Sequence, residues 1–306
     1  MIRYMDNKIA FSYLIVTRNK LPYLKAALGR LSGVKKPDEE IIIADGNSSD
    51  GTKEYLQAQK NSGLVDDFIS EPDFGIAHAL NKLMLKARGE LFMLIADDDV
   101  YDFSVLNKCK AFMREHPEAD LICTNGGVLY ASPAFKKEAS GYTMRALDYS
   151  ADYLEWQKTH KPFAFAELGL MLRRSSLALT GLRDLRIQRA DAEFSLRLTA
   201  GKSNIAWYTG YAYVNILNDQ STSRVFAGKM KKEMDLLNKF YLNKNPDHLI
   251  VSKFKALKNK VRGMLAPKKN RLLVGADQSW PSLVKAAENW LARINSENRG
   301  QFIYNR

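Results

Sequence analysis

Cysteine is nearly absent from the chain, with only Cys109 and Cys123, and histidine occurs four times in 306 residues. Two cysteines cannot build a disulfide framework and suit a reducing compartment. With four scattered histidines they give no zinc-ligand spacing. The longest apolar runs are the short stretches 91–96 and 41–44, far below the ~20 residues of a membrane-spanning helix. The first ten residues carry no apolar stretch of the kind a secretory signal needs. There is no GxxxxGK[ST] loop, no GxGxxG after the first apolar run, no HExxH and no GxSxG. These absences disfavour a P-loop NTPase, a dinucleotide dehydrogenase and a typical serine hydrolase.

What is present is the composition of a folded globular protein. Apolar residues make up 46% and charged residues 26%, so the chain can bury a large core. The length suits one large or two ordinary domains. The net charge of +12 is unevenly placed: residues 1–223 hold 28 Lys/Arg and 28 Asp/Glu, whereas residues 224–306 hold 18 and 6. The sequence therefore reads as a neutral body, 1–223, followed by a basic helical C-terminal region, 224–306. Basic tails bind anionic membrane surfaces or nucleic acid.

The first hundred residues alternate between two periods. Residues 11–17, 40–45, 68–70 and 91–96 read as strands, rich in β-branched and aromatic residues and apolar on both faces. Residues 21–31, 51–59 and 76–87 read as helices, with Pro22 in a first turn, Asp50 as a cap and Gly89 as a stop. Such alternation predicts an α/β fold with a mostly parallel, Rossmann-like sheet covered by helices on both faces. Further on, 121–124, 127–131, 164–172 and 205–214 read as strands and 190–198 as a helix.

In an open parallel sheet, ligands bind beyond the carboxyl ends of the strands. Polar residues gather at each of those ends: Thr17, Arg18 and Asn19; Asp45 to Ser48; Glu71, Asp73 and Gly75; and Asp97, Asp98 and Asp99. Three adjacent carboxylates after an apolar strand repel one another, and a hard divalent cation relieves that repulsion. The triplet predicts a Mg²⁺ or Mn²⁺ site that shares substrate phosphate oxygens.

The segments FSYLIVTRN, EIIIADGNSSDGT, ISEPDFGIAHALNK and GELFMLIADDD occur in this order, and RADAEFSLRL follows. Together they resemble the nucleotide-sugar-binding half of family 2 glycosyltransferases, which have the GT-A fold, over about residues 10–223. The subgroup it most resembles makes bacterial surface polysaccharides. The resemblance implies an inverting, metal-dependent transfer of a sugar from a nucleoside-diphosphate sugar, a UDP-sugar in the first instance. The acceptor is a hydroxyl of a glycan or a lipid-linked acceptor. Thr17 and Asn19 would line the base and ribose pocket, Asp45 would bond the nucleobase or ribose, and Asp73 and Gly75 would lie beside the donor. Asp97, Asp98 and Asp99 would be the metal-binding DxD-type motif. Many members carry an acid where this chain has Ile95, so the ligand pair is Asp97 with Asp98 or Asp97 with Asp99. Asp191 would be the catalytic base, and Glu193 would shape the acceptor side, with Arg197 one turn on and able to pair with it.

Two other readings compete. A sugar-nucleotide nucleotidyltransferase would need a Gly-rich basic loop after the first strand, which Thr17 to Pro22 lacks. A nucleic-acid-binding protein would use the basic tail but leave the acidic loops without purpose. Residues 249–266 carry apolar residues at helical spacing among Lys253, Lys255, Lys258, Lys260 and Arg262, the pattern of a helix lying in a membrane interface. This predicts a cytoplasmic enzyme, peripheral on the inner face of the plasma membrane, with no nucleic-acid partner. Trp280, Trp290, Leu291 and Ile294 offer a second membrane contact; the alternative is that these helices pack on the catalytic body and leave the lysines in water. A chain cut near residue 245 is expected to keep nucleotide binding.

Overall fold

The computed structural model describes residues 8–130, 142–201, 203–217, 227–242, 272–274 and 279–304. The amino-terminal half runs β1 (Phe11–Thr17), α1 (Leu21–Ser32), β2 (Glu39–Asp45), α2 (Thr52–Asn61), β3 (Asp67–Ser70), α3 (Ile76–Lys86) and β4 (Leu91–Ala96). The strands pair in parallel in the order β4-β1-β2-β3. Side chains alternate across the sheet, as a two-residue period requires. Tyr13, Ile15, Ile41 and Ile43 face α1 and α2, together with α4 (Phe103–Glu115), while Leu14, Ile42, Ala44 and Phe92 face α3. Both faces are covered, so these strands are apolar throughout.

Beyond β4 the sheet becomes mixed. β5 (Val100–Tyr101), β6 (Leu121–Tyr130), β7 (Tyr142–Leu147), β8 (Met171–Arg173) and β9 (Ile205–Leu217) follow, with α5 (Ser150–Thr159), α6 (Leu177–Thr180) and α7 (Ala190–Ala200) between them. β8 lies antiparallel to β4 and β6, β7 lies antiparallel to β6, and β9 runs parallel to β6. The two strands expected over 121–131 are one long strand through residue 130, whose pairing with β9 shifts register around Asn125. The strand expected over 164–172 shrinks to β8, preceded by a single 3₁₀ turn, Glu167–Gly169. Two helix ends also differ. Gly51, with φ of 86°, caps α2, one residue after Asp50, and α3 ends at Lys86, before Gly89.

The described part of the C-terminal region is not a separate tail. It contains α8 (Ala227–Leu242), β10 (Leu272–Val274), α9 (Trp280–Glu297) and β11 (Phe302–Ile303). β10 pairs with β7 and β11 pairs with β9, so both extend the sheet of the body. Trp290 and Leu291 are buried against Tyr211, Val214 and Ile216. The expected membrane contact at Trp290 and Leu291 is therefore a core contact of α9 on β9, because these apolar positions find a sheet face to cover. The described elements on either side of the charge step thus share one sheet and one core. The amphipathic stretch 249–266 and the polar residues 218–223 lie outside the described residues. No described helix is long and apolar enough to cross a membrane.

Candidate active site

The carboxyl ends of β1, β2, β3 and β4 lie side by side, and their loops are stitched together by side chains. Asn19, at φ of 51°, uses the left-handed region that asparagine tolerates. Its backbone N–H donates to Ser48 Oγ at 2.7 Å, and its side-chain oxygen accepts from the Ser49 N–H at 2.9 Å. Asp45 accepts from the Ser48 hydroxyl at 2.5 Å and from the Ser70 hydroxyl at 2.7 Å, which ties the β2 loop to β3. Asp73 accepts from the Gly75 N–H at 2.8 Å. Gly46 lets the Asp73 and Arg18 side chains close over the loop: a Cβ there would sit 2.6 Å from Asp73 Oδ2 and 3.1 Å from Arg18 Cδ, so both would have to shift. Phe74, between Asp73 and Gly75, is 84% exposed.

The acidic triplet divides into a pair and a strut. Asp97 and Asp98 lie together, and the Lys20 ammonium reaches both, at 2.5 Å from Asp98 and 3.5 Å from Asp97. The Thr17 hydroxyl donates to Asp97 at 2.7 Å. Burial raises the Asp97 carboxyl to about 6; the Asp98 charge adds to the rise, and Lys20 and Thr17 oppose it. Asp99 turns the other way. Its carboxylate accepts from the Asn215 amide at 2.9 and 3.1 Å and from the Ile216 N–H at 2.9 Å, and Arg30 donates to its carbonyl oxygen at 2.9 Å. Burial first, and Asp98 second, hold the Asp99 carboxyl well above the usual carboxylate range. Asp99, expected among the metal ligands, anchors the end of β4 to β9 through these bonds.

Thr17 and Asp45 are also more deeply engaged than expected. Both are buried, and their side chains are spent on Asp97 and on Ser48 and Ser70 respectively. They brace the loops after β1 and β2 from behind.

Asp191 and Glu193 form a second group on α7. Asp191 is half-buried in the first turn, and its carboxylate has no hydrogen bond or ion pair to another described residue. Glu193 pairs with Arg197 at 2.9 Å, as the four-residue spacing predicts, and accepts from the Tyr241 hydroxyl of α8 at 2.8 Å. Behind them Arg183 is buried, ion-paired with Glu167 and stacked 4.4 Å over the Phe194 ring. Its backbone exchanges two hydrogen bonds with the Asn81 side chain of α3. Burial and neighbouring Arg197 lower the Arg183 guanidinium to about 9, while the charges of Asp191 and Glu193 oppose the fall. His160 ends α5 on the surface in the left-handed region and reaches neither group.

Sequence reasoning missed Lys20, Arg30, Arg183 and Asn215. Lys20 carried a signal, because a cation in the loop after β1 lies opposite any acid at the end of the adjacent β4. Arg30, Arg183 and Asn215 meet their partners across more than 10 residues of tertiary contact, and no local pattern marks them.

The family described as Glycosyl transferase family 2 matches the chain over residues 12–177, just over half its length. The chain belongs to this family. It is a transferase enzyme that moves glycosyl groups. A PGL/p-HBAD biosynthesis glycosyltransferase of Mycobacterium tuberculosis (strain ATCC 25177 / H37Ra) is 28% identical over 207 residues, which cover 67% of this chain and 74% of the relative. A cholesterol galactosyltransferase of Borreliella burgdorferi (strain ATCC 35210 / DSM 4680 / CIP 102532 / B31) is 20% identical over 251 residues, 78% of this chain and 66% of that one. Among solved structures, S. aureus TarS 1–349 in complex with UDP-GlcNAc superposes with a TM-score of 0.55 at 16% identity, covering 74% of this chain and 65% of that one. The shared fold is of the GT-A type, as the sequence motifs imply.

Proposed function

We propose that this glycosyltransferase is inverting and metal-dependent, and that it transfers a sugar from a nucleoside-diphosphate sugar, with UDP as the first nucleotide to test, to a hydroxyl of a glycan or lipid-linked acceptor. The observation that carries the reading is the Asp97–Asp98 pair at the end of β4, held by Thr17 and bridged by Lys20. Two adjacent carboxylates fit a hard cation that takes one or two protein carboxylates and completes its shell with phosphate oxygens and water. Among the described residues no cluster of three or more His, Cys, Asp or Glu stands ready to hold a metal alone, which fits an ion shared with the donor. Asp97 and Asp98 would hold Mg²⁺ or Mn²⁺, which when bound supplies positive charge where the leaving diphosphate becomes more negative.

The protein's own groups do the rest. The β1 and β2 loops, fixed by Asn19, Asp45 and Ser48, form the wall on which the nucleoside lies, with Asp73 and Gly75 along its edge. Lys20 gives up its carboxylate partners and turns its ammonium toward the diphosphate. The Asp191 carboxylate accepts the proton of the acceptor hydroxyl as its oxygen bonds to the anomeric carbon. The bond from that carbon to the diphosphate oxygen breaks, and the nucleoside diphosphate leaves. One displacement from the opposite face inverts the anomeric centre.

The names of the mycobacterial and Borreliella relatives support a glycolipid product. The Lys/Arg excess after residue 223 supports work at an anionic membrane surface. A panel of nucleotide sugars with Mn²⁺, read by thermal shift and donor hydrolysis, tests the reading. Binding is expected for one nucleotide class and should vanish with EDTA; undiminished turnover in excess EDTA refutes metal dependence. Asp191→Asn should spare donor binding and cut kcat by about 10²-fold or more.

A further inference from the structure

A groove of about 540 Å³ lies between the segment leading into α7 and the C-terminal helix α8. Its carbon-rich lining comes from Leu182 and Ile187 on one wall and Leu236, Leu237 and Phe240 on the other. Phe240 is 78% exposed and Leu236 65%, and Leu179, Leu182 and Leu185 are also exposed on the neighbouring segment. Three of the ten large apolar side chains exposed among the described residues, Leu182, Leu236 and Phe240, therefore line this one depression.

The charged residues in the groove are already satisfied. Glu193 is taken by Arg197 and by the Tyr241 hydroxyl. Asp184 holds Arg186 at 2.6 Å. Glu233 accepts the backbone N–H groups of Gln188 at 3.1 Å and Arg189 at 2.9 Å. A glycan would need unpaired donors and acceptors, and a nucleotide would need free cations. The groove offers a guest mainly carbon, in a concave volume of small-molecule size. Its wall at 184–187 runs directly into the first turn of α7, which carries Asp191.

We infer that this groove holds the hydrocarbon part of an amphiphilic acceptor, whose polar head then reaches the Asp191 end of α7. The inference rests on the acceptor-side reading of Asp191 above and narrows the acceptor from any glycan to one with an apolar chain or ring system. Charges paired within the wall suit such a guest, because an unpaired charge facing hydrocarbon is costly to bury.

The uncharged probe N-phenyl-1-naphthylamine tests this on the full chain. Its fluorescence should rise saturably at one site per chain, and monomeric dodecanol should displace it where N-acetylglucosamine does not. Leu236→Ser and Phe240→Ser, both at solvent-facing positions, should each weaken binding about tenfold and leave the thermal shift given by nucleotide and Mn²⁺ unchanged. Failure to saturate, or equal binding by both variants, overturns the inference. So does binding only to intact anionic vesicles, which would make this face a membrane contact. A second arm compares transfer to alkyl glycosides of increasing chain length. KM should fall with chain length in the wild type and stay flat in the two variants. If the probe binds as expected but Asp191→Asn transfers at the wild-type rate, the base assignment fails and the groove assignment stands.

Discussion

Replacing Lys20 with Met tests the central electrostatic claim directly. In the metal-free protein the Lys20 ammonium neutralises the Asp97–Asp98 pair, from 2.5 and 3.5 Å. Its side chain is 21% exposed and those of the two carboxylates only 4% and 11%, so water screens the contact weakly. A hydrogen bond to a charged group contributes about 1.5–3 kcal/mol net. A divalent cation entering between the carboxylates must displace that bond. Removing the ammonium removes the competitor, so Lys20→Met should bind Mn²⁺ about 10- to 100-fold more tightly without nucleotide, at 1.4 kcal/mol per factor of ten. Titration calorimetry, or the loss of the free Mn²⁺ signal in electron paramagnetic resonance, reads this without any turnover. The variant should also melt at lower temperature in EDTA and recover with Mn²⁺, because two buried carboxylates then face each other without the Lys20 charge. With nucleoside diphosphate present the gap should narrow, since the wild-type lysine regains an anionic partner. Equal or weaker Mn²⁺ binding by Lys20→Met would show that Lys20 does not occupy the cation's place and would refute the reasoning.

The parallel half of the fold was legible because strands buried on both faces leave continuous apolar runs, and the helices between them keep a 3.6-residue period. The mixed half was not. β8 is three residues long, and it is strand because β4 and β6 flank it, which no local pattern shows. α5 has no side-chain cap and buries only Tyr153 and Trp156, and α4, which Asp102 caps by accepting from the Ser104 and Val105 N–H groups, was not read from the sequence. The site followed the same divide. The polar clusters after β1 to β4 were visible as residue types, but adjacency in sequence hid the split between Asp97–Asp98 and Asp99. That split depends on β9 arriving with Asn215 and Ile216 some 116 residues later. The basic region misled for a related reason. Lysine density suggested a tail turned toward a membrane surface, while Trp290, Leu291 and β11 are held by partners on β9 that the charge count cannot reveal.

Further outcomes follow from the same contacts. Asp98→Ala should abolish Mn²⁺-dependent nucleotide binding while the chain still folds and melts cooperatively. Asp99→Ala should cost about 1–3 kcal/mol of stability by stripping the Ile216 N–H and the Asn215 amide of their acceptor, as chemical denaturation would show. Glu39→Gln should cost about 3–5 kcal/mol, because it strands the buried Lys110 ammonium, 2.7 Å from the Glu39 carboxylate, without a counter-charge. Burial pushes the Glu39 carboxyl up, but the hydrogen bond and charge of Lys110 outweigh it and hold it below the ordinary value of 4.5. The pair's contribution is therefore complete above about pH 4.5 and fades as the pH falls through the lower folded value; Glu39→Gln should lose that part of the acid dependence. Truncation after residue 245 should fail to give a nucleotide-binding protein. It removes α9, whose Asn295 donates to Asp102 at 2.9 Å and to the Tyr211 carbonyl at 2.8 Å and accepts from the Tyr211 N–H at 2.9 Å. It also uncovers Tyr211, Val214 and Ile216 on β9. β9 is the strand whose Asn215 and Ile216 fix Asp99, and Asp99 ends the turn that presents Asp97 and Asp98. Loss of α9 therefore reaches the acidic pair through two strands and one carboxylate. A truncated chain that melts cooperatively and binds nucleotide with Mn²⁺ as tightly as the full chain would break that line of reasoning at its first link.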